Sequence, residues 1–581
     1  MMKTPTAIFW TCLTLCGLAT HAAGAELQVW TIAETRHVLR EDPAGSGTEV
    51  RLAAAKNEWE GFQILVRSDA PVKGIRIEPA DLAGPDGAAL RAADARLYRQ
   101  HQIHLTEPTA RNDQFKPGWY PDPLIPTVHP LTGKPLSGAR FTAMPFDLPA
   151  NEAHGFWVDL YVPPDAKPGV YRGTYRVTWA EGNGQKAREL PVGMTVWDFA
   201  LPQVPTLVTA FGSPAERMRS YYRKHYPDAG ANSPVDWDAV SDQCAQLLSE
   251  HRFDATPSSR LAPVRQPDGS YRIPEEQIRD LREFVDRYHV NAIQTVHPRS
   301  AVKDPEKERE RLHAWLKAWD QAAKDLDRPV LFFTYLLDEP NDEKAYREVQ
   351  TWGRAIRAAK SALKVMVVEQ TKTQDPAWGD LYGAVDIWCP LFCLHDPETA
   401  AQRLALGESI WTYTALCQGK EPSPWWHIDY PLLNYRVPAW MAWRYHITGL
   451  LYWGGMSHWS QVDDPWTDAR TYGRKPGETR GPIYNGEGTI VYPARPVGYD
   501  GIVPSLRLKA LRDSIEDYEY LAILERKGLR AEAEKIVLPV TDSFFRWDPS
   551  PRKYQDARAK LAALIVGPQA RQPRGRGGRG G

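Results

Sequence analysis

The chain has 581 residues, 43% hydrophobic and 25% charged, which is the balance of a soluble globular protein with two or three domains. Its formal net charge of −1 excludes the strongly basic surface typical of proteins that bind nucleic acids or anionic membranes. The content of aromatic residues is unusually high, with 22 Trp and 25 Tyr, many of them in the C-terminal half.

Residues 1–25 have the features of a cleavable export signal. Lys3 supplies a positive charge, an apolar stretch runs from Ala7 to Ala19, and Ala23–Ala25 forms a small-residue cleavage site. The apolar stretch is too short to span a bilayer, and no later stretch is long enough. The sequence therefore predicts a protein without a membrane span that is secreted or delivered to the periplasm.

Residues 26–200 predict a β-sandwich. Short alternating runs such as Phe62–Val66, Phe156–Val162 and Gly169–Val177 are bounded by Pro, Gly and Asp, and no run has the length or period of an ordinary helix. Residues 201–205 contain two prolines and indicate a stiff, extended linker.

Residues 206–567 alternate between strand and helix patterns, which predicts a (β/α)8 barrel. The eight predicted strands are Leu207–Phe211, a weak one near Ala255, Ala292–His297, Val330–Leu337, Val365–Glu369, Ile387–Phe392, Ile410–Ala415 and Leu450–Trp453. The amphipathic segments predicted as helices include Glu275–Tyr288, Glu306–Lys324, Asp342–Lys360 and Pro504–Glu525. Because the second strand has the weakest pattern, the numbers of the later strands can shift by one.

Two acidic residues, Asp338 and Glu339, close the fourth predicted strand, and Pro340 follows them. Active sites of (β/α)8 enzymes are built at the C-terminal strand ends, and a carboxylic acid there can protonate a glycosidic oxygen. Repulsion between neighbouring carboxylates favours protonation of one of them. We therefore predict that both are catalytic. The alternative is that they solvate a loop and favour the start of the next helix, with Asp342 as its N-cap.

The nucleophile of an ordinary retaining glycosidase is not evident in this sequence. The seventh predicted strand ends without an acid, and Glu421 lies well beyond it. Glu369 and Glu487 remain possible nucleophiles. In the alternative mechanism the substrate's own 2-acetamido oxygen attacks, one carboxylate stabilises the ring intermediate, and its neighbour acts as acid and base.

Aromatic residues crowd the region from Trp388 to Trp466, and pyranose rings pack well on indole and phenol rings. Tyr413, Trp453 and Trp459 are the predicted substrate contacts among them. Packing in the apolar core is the alternative interpretation for most rings of this region.

Three polar residues complete the predicted substrate site. His297 ends the third predicted strand, and Asn485 and Glu487 lie among glycines in the loop after the eighth. A satisfied structural histidine and ordinary turn chemistry are the alternatives. Asp463–Asp464 lacks regular ligand spacing, so no metal site is predicted, and no cofactor either.

The remaining features are cysteines and a tail. Cys244, Cys389, Cys393 and Cys417 lack the paired spacing of a zinc site, and either one disulfide or buried thiols fit them. Residues 568–581 are rich in Arg and Gly and predict a disordered tail.

Five motifs give the chain a family resemblance. They are Asn57–Gln63, Val162–Tyr171, Leu337–Pro340, Leu451–Gly454 and, most specific of all, Ser505–Leu521. On these residues the chain resembles the bacterial proteins grouped under domain of unknown function 4091, which are related to glycoside hydrolase family 123. The resemblance covers nearly the whole mature chain.

The resemblance implies a β-sandwich followed by a (β/α)8 barrel, and β-N-acetylgalactosaminidase chemistry by substrate assistance. Carried over, Asp338 orients the acetamido group and stabilises the oxazolinium, and Glu339 is the general acid/base. The sequence therefore predicts a secreted retaining glycoside hydrolase that acts on an oligosaccharide or glycoconjugate. Two alternatives remain open: double displacement on another glycan, and a non-catalytic glycan-binding protein.

Overall fold

The computed structural model describes residues 26–33, 35–226, 235–257, 261–416, 423–475 and 477–567. The predicted export signal (1–25), the predicted tail (568–581), Cys417 and Glu421 lie outside these ranges. Within them, no helix has both the length and the apolar character that a bilayer span requires.

The first part of the chain folds into two β-sheets. Its strands are β1 (Gln28–Ile32), β2 (Val50–Lys56), β3 (Glu58–Arg67), β4 (Val72–Glu78), β5 (Leu82–Ala83), β6 (Ala89–Leu90), β7 (Arg96–Leu105), β8 (Gly118–Pro126), β9 (Phe146–Leu148), β10 (His154–Val162), β11 (Gly169–Glu181) and β12 (Gly184–Ala200). One sheet has the order β1-β3-β10-β7-β8, and the other has β2-β12-β11-β4-β9, with β5 and β6 beside β11.

The two sheets share one apolar core, as the alternating sequence runs predict. Phe62, Ile64 and Val158 of the first sheet and Ile75 and Val177 of the second are all buried in it. Alternation places these side chains on the inner faces, because successive residues of a strand point to opposite sides.

The second part contains a parallel sheet that curls into a nearly closed barrel. Its strands are β13 (Val208–Ala210), β16 (Ala292–Gln294), β17 (Leu331–Asp338), β18 (Lys364–Val368), β19 (Ile387–Trp388), β20 (Ser409–Tyr413) and β21 (Ile447–Leu451). The order β13-β21-β20-β19-β18-β17-β16 follows the chain around the barrel.

Helices surround this barrel, and short hairpins extend its loops. The helices are α1 (Pro214–His225), α2 (Trp237–Glu250), α3 (Glu275–Tyr288), α4 (Arg309–Asp325), α5 (Glu343–Ala358), α6 (Pro397–Ala405), α7 (Leu433–Arg444), α8 (Leu506–Arg526), α9 (Arg530–Val537) and α10 (Pro551–Val566). The hairpin strands are β14 (Val264–Arg265), β15 (Tyr271–Arg272), β22 (Tyr472–Gly473), β23 (Ile483–Tyr484), β24 (Tyr492–Pro493), β25 (Ile502–Val503), β26 (Thr541–Ser543) and β27 (Arg546–Trp547).

The predicted eight-stranded barrel needs correction, because the described residues contain seven parallel barrel strands. The weak second strand near Ala255 is absent, and the segment around it runs between β13 and β16 without pairing. The buried Asp254 carboxylate accepts hydrogen bonds from Thr209 N at 2.9 Å and Asn291 N at 2.7 Å. A side chain thus satisfies backbone donors that the missing strand would have satisfied. The regular alternation also fails after β18, where Pro376–Trp378 forms only a 3-10 turn.

Helix α8 joins the two parts of the chain. Its residues are buried on nearly every side, including the charged ones. Arg507 donates to Asp122 of β8 at 2.8 Å, and Lys509 donates to Asp159 of β10 at 2.6 Å. The two sheets and the barrel are therefore held together by ion pairs that are shielded from solvent.

Candidate active site

The end of β17 presents Asp338 and Glu339 to solvent at the mouth of the barrel. A bulge in the pairing with β18 sets their direction: Tyr335 faces Met366 and Leu337 faces Val367, so Leu336 is an extra residue. Side chains alternate in a strand, and one inserted residue reverses the alternation beyond it. The bulge therefore places Asp338 on the same side as Tyr335, inside the barrel mouth.

The residue after the bulged strand has a rare backbone conformation. Glu339 has a φ of 43°, in the left-handed region that residues other than Gly, Asn and Asp seldom adopt. Such a conformation costs on the order of 1 kcal/mol or more and persists only where the surroundings impose it. Helix α5 begins four residues later at Glu343, and the Asp342 carboxylate caps its N-terminus by accepting from Ala345 N at 2.8 Å, as predicted.

Each of the two carboxylates accepts a hydrogen bond from a tyrosine. The Tyr335 hydroxyl donates to Asp338 Oδ1 at 2.7 Å. The Tyr413 hydroxyl, at the end of β20, reaches across the mouth and donates to Glu339 Oε1. The structure thus brings together three of the predicted site residues, Asp338, Glu339 and Tyr413.

Two further groups lie beside this pair. Burial raises the pKa of the Glu369 carboxyl to about 7, and the charge of Glu339 adds to that rise. Burial also raises the pKa of the Cys389 thiol well above its usual value, and Asp338 acts in the same direction. At neutral pH the Cys389 thiol is therefore protonated, and Glu369 holds its proton to a higher pH than an ordinary glutamate does.

A cavity of about 510 Å³ opens beside the pair, on the side where the second strand is missing. Phe211, Asp254, His297 and Tyr335 are among its lining residues. Since Tyr335 lines this cavity and also donates to Asp338, the cavity is next to the pair. Its volume is within the range of ordinary ligand pockets.

Trp453, which follows β21, contacts Glu487. The Trp453 indole N–H donates to Glu487 Oε1, and His427 Nε2 lies 2.8 Å from the other carboxylate oxygen. Glu487 is buried, whereas Trp453 is half-buried and packs edge-on against the exposed Tyr472. The Trp453 and Tyr472 rings therefore offer an accessible aromatic surface, with Glu487 behind it as a support.

The other predicted substrate contacts have structural partners. The Trp459 ring is buried, and its N–H donates to the Val491 carbonyl at 3.0 Å. The buried Asn485 amide donates at 3.0 Å to the carbonyl of Glu107, in the first part of the chain. These two contacts suit packing and domain attachment, and the prediction that either residue touches substrate stays a prediction.

Sequence reasoning missed Tyr335, which contacts Asp338, and Gln374, which contacts Glu369 and the residues after the acid pair. Tyr335 stands three residues before Asp338, which in a regular strand would put the two side chains on opposite faces. Only the bulge makes them neighbours, and no residue type in this run signals it. Gln374, which donates to Glu369 Oε2 at 2.8 Å, comes from a loop without a motif.

Comparisons with known proteins identify the two parts of the chain separately. The family model described as "Glycoside hydrolase 123 N-terminal domain" matches residues 30–179, and the one described as "Glycoside hydrolase 123, catalytic domain" matches residues 302–524. None of the curated proteins matched the chain.

Among solved structures, one similar chain is a family 123 glycoside hydrolase from Clostridium perfringens, studied for glycolipid glycan hydrolysis. It is 14% identical, the alignment covers 93% of this chain and 97% of that one, and the TM-score is 0.62, which shows a shared fold. A GH20 exo-β-N-acetylglucosaminidase from Vibrio harveyi is 8% identical over 67% of this chain and 82% of that one. Its TM-score is 0.17, too low to support an argument.

Proposed function

We propose that this chain, a glycoside hydrolase related to family 123, is an exported retaining β-N-acetylhexosaminidase that favours N-acetylgalactosamine. The observation that carries the proposal is the placement of Asp338 and Glu339 side by side in the barrel mouth. Both are exposed, and each accepts a hydrogen bond from a phenol. Two carboxylates that face one small volume suit a reaction in which one handles a proton and the other a bound amide.

In the proposed mechanism the substrate's acetamido oxygen attacks the anomeric carbon. Glu339 gives its proton to the leaving oxygen as the glycosidic bond breaks, and Asp338 orients the acetamido N–H and stabilises the oxazolinium. Water then attacks the anomeric carbon while Glu339 takes up the proton of that water, which restores the acetamido group. The two substitutions at the anomeric carbon retain its configuration.

The surroundings of the other acids favour this mechanism over double displacement. Glu369 accepts from Gln374 Nε2 at 2.8 Å and from Gln370 N at 3.0 Å, and it is 5% exposed. Glu487 is 1% exposed, and both of its oxygens face partners, Trp453 and His427. An attacking carboxylate needs a free oxygen in contact with the sugar, which neither residue offers.

Substrate class and location belong to the same proposal. The cavity beside Tyr335 and the aromatic surface of Trp453 and Tyr472 suit a sugar ring with neighbouring units, as in an oligosaccharide or a glycoconjugate such as a glycolipid. Export rests on residues 1–25. The narrower relation to the domain of unknown function 4091 proteins rests on the motifs given above.

A screen of aryl glycosides on the purified mature protein tests the proposal. We expect hydrolysis of the β-N-acetylgalactosaminide, slower hydrolysis of the β-N-acetylglucosaminide and none of the β-galactoside. A thiazoline that mimics the oxazoline should inhibit, and NMR should show the β-anomer as the first product. Cleavage of the galactoside without thiazoline inhibition would support double displacement instead. Glycan binding without any cleavage would support the binding-protein alternative.

A further inference from the structure

Two side chains from neighbouring strands hold the backbone on either side of the acid pair. His297, which follows β16, lies with Nε2 3.0 Å from the carbonyl oxygen of Leu336. Gln374, which follows β18, lies with Nε2 3.2 Å from the carbonyl oxygen of Pro340. Since β16 and β18 flank β17, the segment is held from both sides.

The His297 contact falls on the bulged residue itself. Arg299 N donates to His297 Nδ1 at 3.0 Å, so in the neutral ring the proton sits on Nε2, which donates to Leu336. Burial lowers the pKa of His297, which favours this neutral form. Leu336 is the extra residue in the pairing with β18, and the bulge turns Asp338 into the mouth.

The Gln374 contact falls on the left-handed turn. Besides the Pro340 carbonyl, its amide nitrogen lies 3.2 Å from Asn341 Oδ1 and 2.8 Å from Glu369 Oε2. It therefore ties the residues that directly follow Glu339 to the end of β18.

We propose that His297 and Gln374 are positioning residues that impose the bulge and the left-handed turn and so aim Asp338 and Glu339 at one substrate. This inference rests on the proposed function. A bulge and a strained residue persist only where neighbouring groups over-determine them. Without the two donors, β17 can relax toward regular alternation, which turns Asp338 out of the mouth.

The test compares variants that lose the donor with a variant that keeps it. His297→Ala and Gln374→Met remove the two contacts, whereas His297→Gln retains an amide N–H near the position of Nε2. Matched controls remove the same kind of contact elsewhere. His101→Ala breaks the bond to the Trp466 carbonyl, and Gln350→Met, on α5, breaks the bonds to the Trp378 and Asp380 carbonyls.

We expect kcat on the aryl N-acetylgalactosaminide to fall about 10- to 100-fold in His297→Ala and in Gln374→Met, because a displacement near 1 Å has this effect on catalysis. KM and the melting temperature should change little, and His297→Gln should recover most of the lost rate. The two controls should keep the wild-type kcat. Crystal structures of the two donor-loss variants should show the Asp338 or Glu339 carboxylate displaced by about 1 Å or more.

An unchanged kcat with an unmoved acid pair would overturn the inference, as would a loss of rate that His297→Gln does not restore. A fall in kcat matched by unfolding of the variant, with the acid pair in place in its crystal structure, would also overturn it. A wild-type protein that cleaves no glycoside defeats the proposed function instead. The crystal structures still decide in that case whether the two donors set the backbone.

Discussion

The molecule has two groups of carboxylates, one at the barrel mouth and one along α8, and they differ in what they face. On α8, Asp517 faces a cation: it accepts from Arg436 at 2.7 and 3.0 Å, and both side chains are buried. At the mouth, Asp338 and Glu339 are exposed and accept from phenols, and within the described residues neither forms an ion pair.

The surroundings of a carboxylate therefore decide whether it has a structural or a catalytic role. A buried carboxylate with a cationic partner holds the fold together, because separating the pair leaves an uncompensated charge out of water. A carboxylate that faces phenols and solvent keeps free lone pairs for a ligand and can exchange a proton. Motif similarity alone does not make this distinction, since the residues of α8 form an even more specific motif than Asp338-Glu339-Pro340 does.

Removing the proposed proton donor should have the largest effect on catalysis. Glu339→Gln should lower kcat about 10²- to 10⁴-fold on substrates with poor leaving groups and much less on activated aryl glycosides, because only the poor ones need protonation. The melting temperature should stay near that of the wild type, since Glu339 is exposed. Rates on both substrate types, together with thermal melting, provide the measurement.

The control for this prediction is Glu343→Gln, at the first residue of α5. Glu343 is an exposed acid close in sequence that forms an ion pair with Arg347 on the helix surface, so its loss should leave kcat unchanged. Equal losses of rate for the two variants, or equal losses on both substrate types, would contradict the assigned role of Glu339.

Breaking a buried ion pair of α8 should lower the free energy of unfolding. Asp122→Ala leaves Arg507 buried without its partner, with both side chains 0% exposed in the wild type, and should destabilise the fold by about 3–5 kcal/mol. Asp81→Ala breaks the exposed pair with Arg91 and should destabilise the fold far less, because solvent screens that pair. Urea unfolding of the two variants measures the difference. Similar midpoints would show that the buried pair stabilises the fold no more than the exposed pair does.

Glu369 is a buried carboxylate beside the acid pair that forms no ion pair within the described residues, so its charge should make stability depend on pH. Its pKa is raised from 4.5 to about 7, so wild-type stability should fall as pH rises through this range, because the folded site must then hold a charge. Glu369→Gln mimics the protonated form at every pH. We expect its stability relative to the wild type to grow between pH 5 and pH 8, by on the order of 2 kcal/mol.

The control for Glu369 is the equally buried but paired Glu408, which accepts from Arg357 Nη1 at 3.0 Å. Glu408→Gln should lower stability at neutral pH, because it removes one side of an ion pair. Melting temperatures across the pH range measure both variants. If the melting temperatures of Glu369→Gln and the wild type change with pH in the same way, the raised pKa of Glu369 is refuted.

Much of the architecture could be predicted from the sequence, because hydrophobic alternation and strand–helix order depend on local patterns. The acid pair was predictable for the same reason, since it directly follows an apolar strand. The missing second strand was not, because Asp254 replaces backbone pairing with a side chain that no pattern reveals. The partners Tyr335 and Gln374 depend on a bulge and on a loop contact, which arise only from tertiary packing.

Replacing the two tyrosines separates the roles of Glu339 and Asp338. Tyr413→Phe removes the hydrogen bond to Glu339, and Tyr335→Phe removes the one to Asp338. A hydrogen bond to a charged group is worth about 1.5–3 kcal/mol, so kcat should fall roughly 10- to 100-fold in either variant. If Glu339 protonates the leaving group, the Tyr413→Phe loss should be larger on poor leaving groups than on activated ones. If Asp338 only orients the acetamido group, the Tyr335→Phe loss should not depend on the leaving group, because ring closure needs the oriented amide in every case. Kinetics on two N-acetylgalactosaminides of different leaving-group acidity measure this contrast, and a reversed pattern would exchange the roles of the two carboxylates.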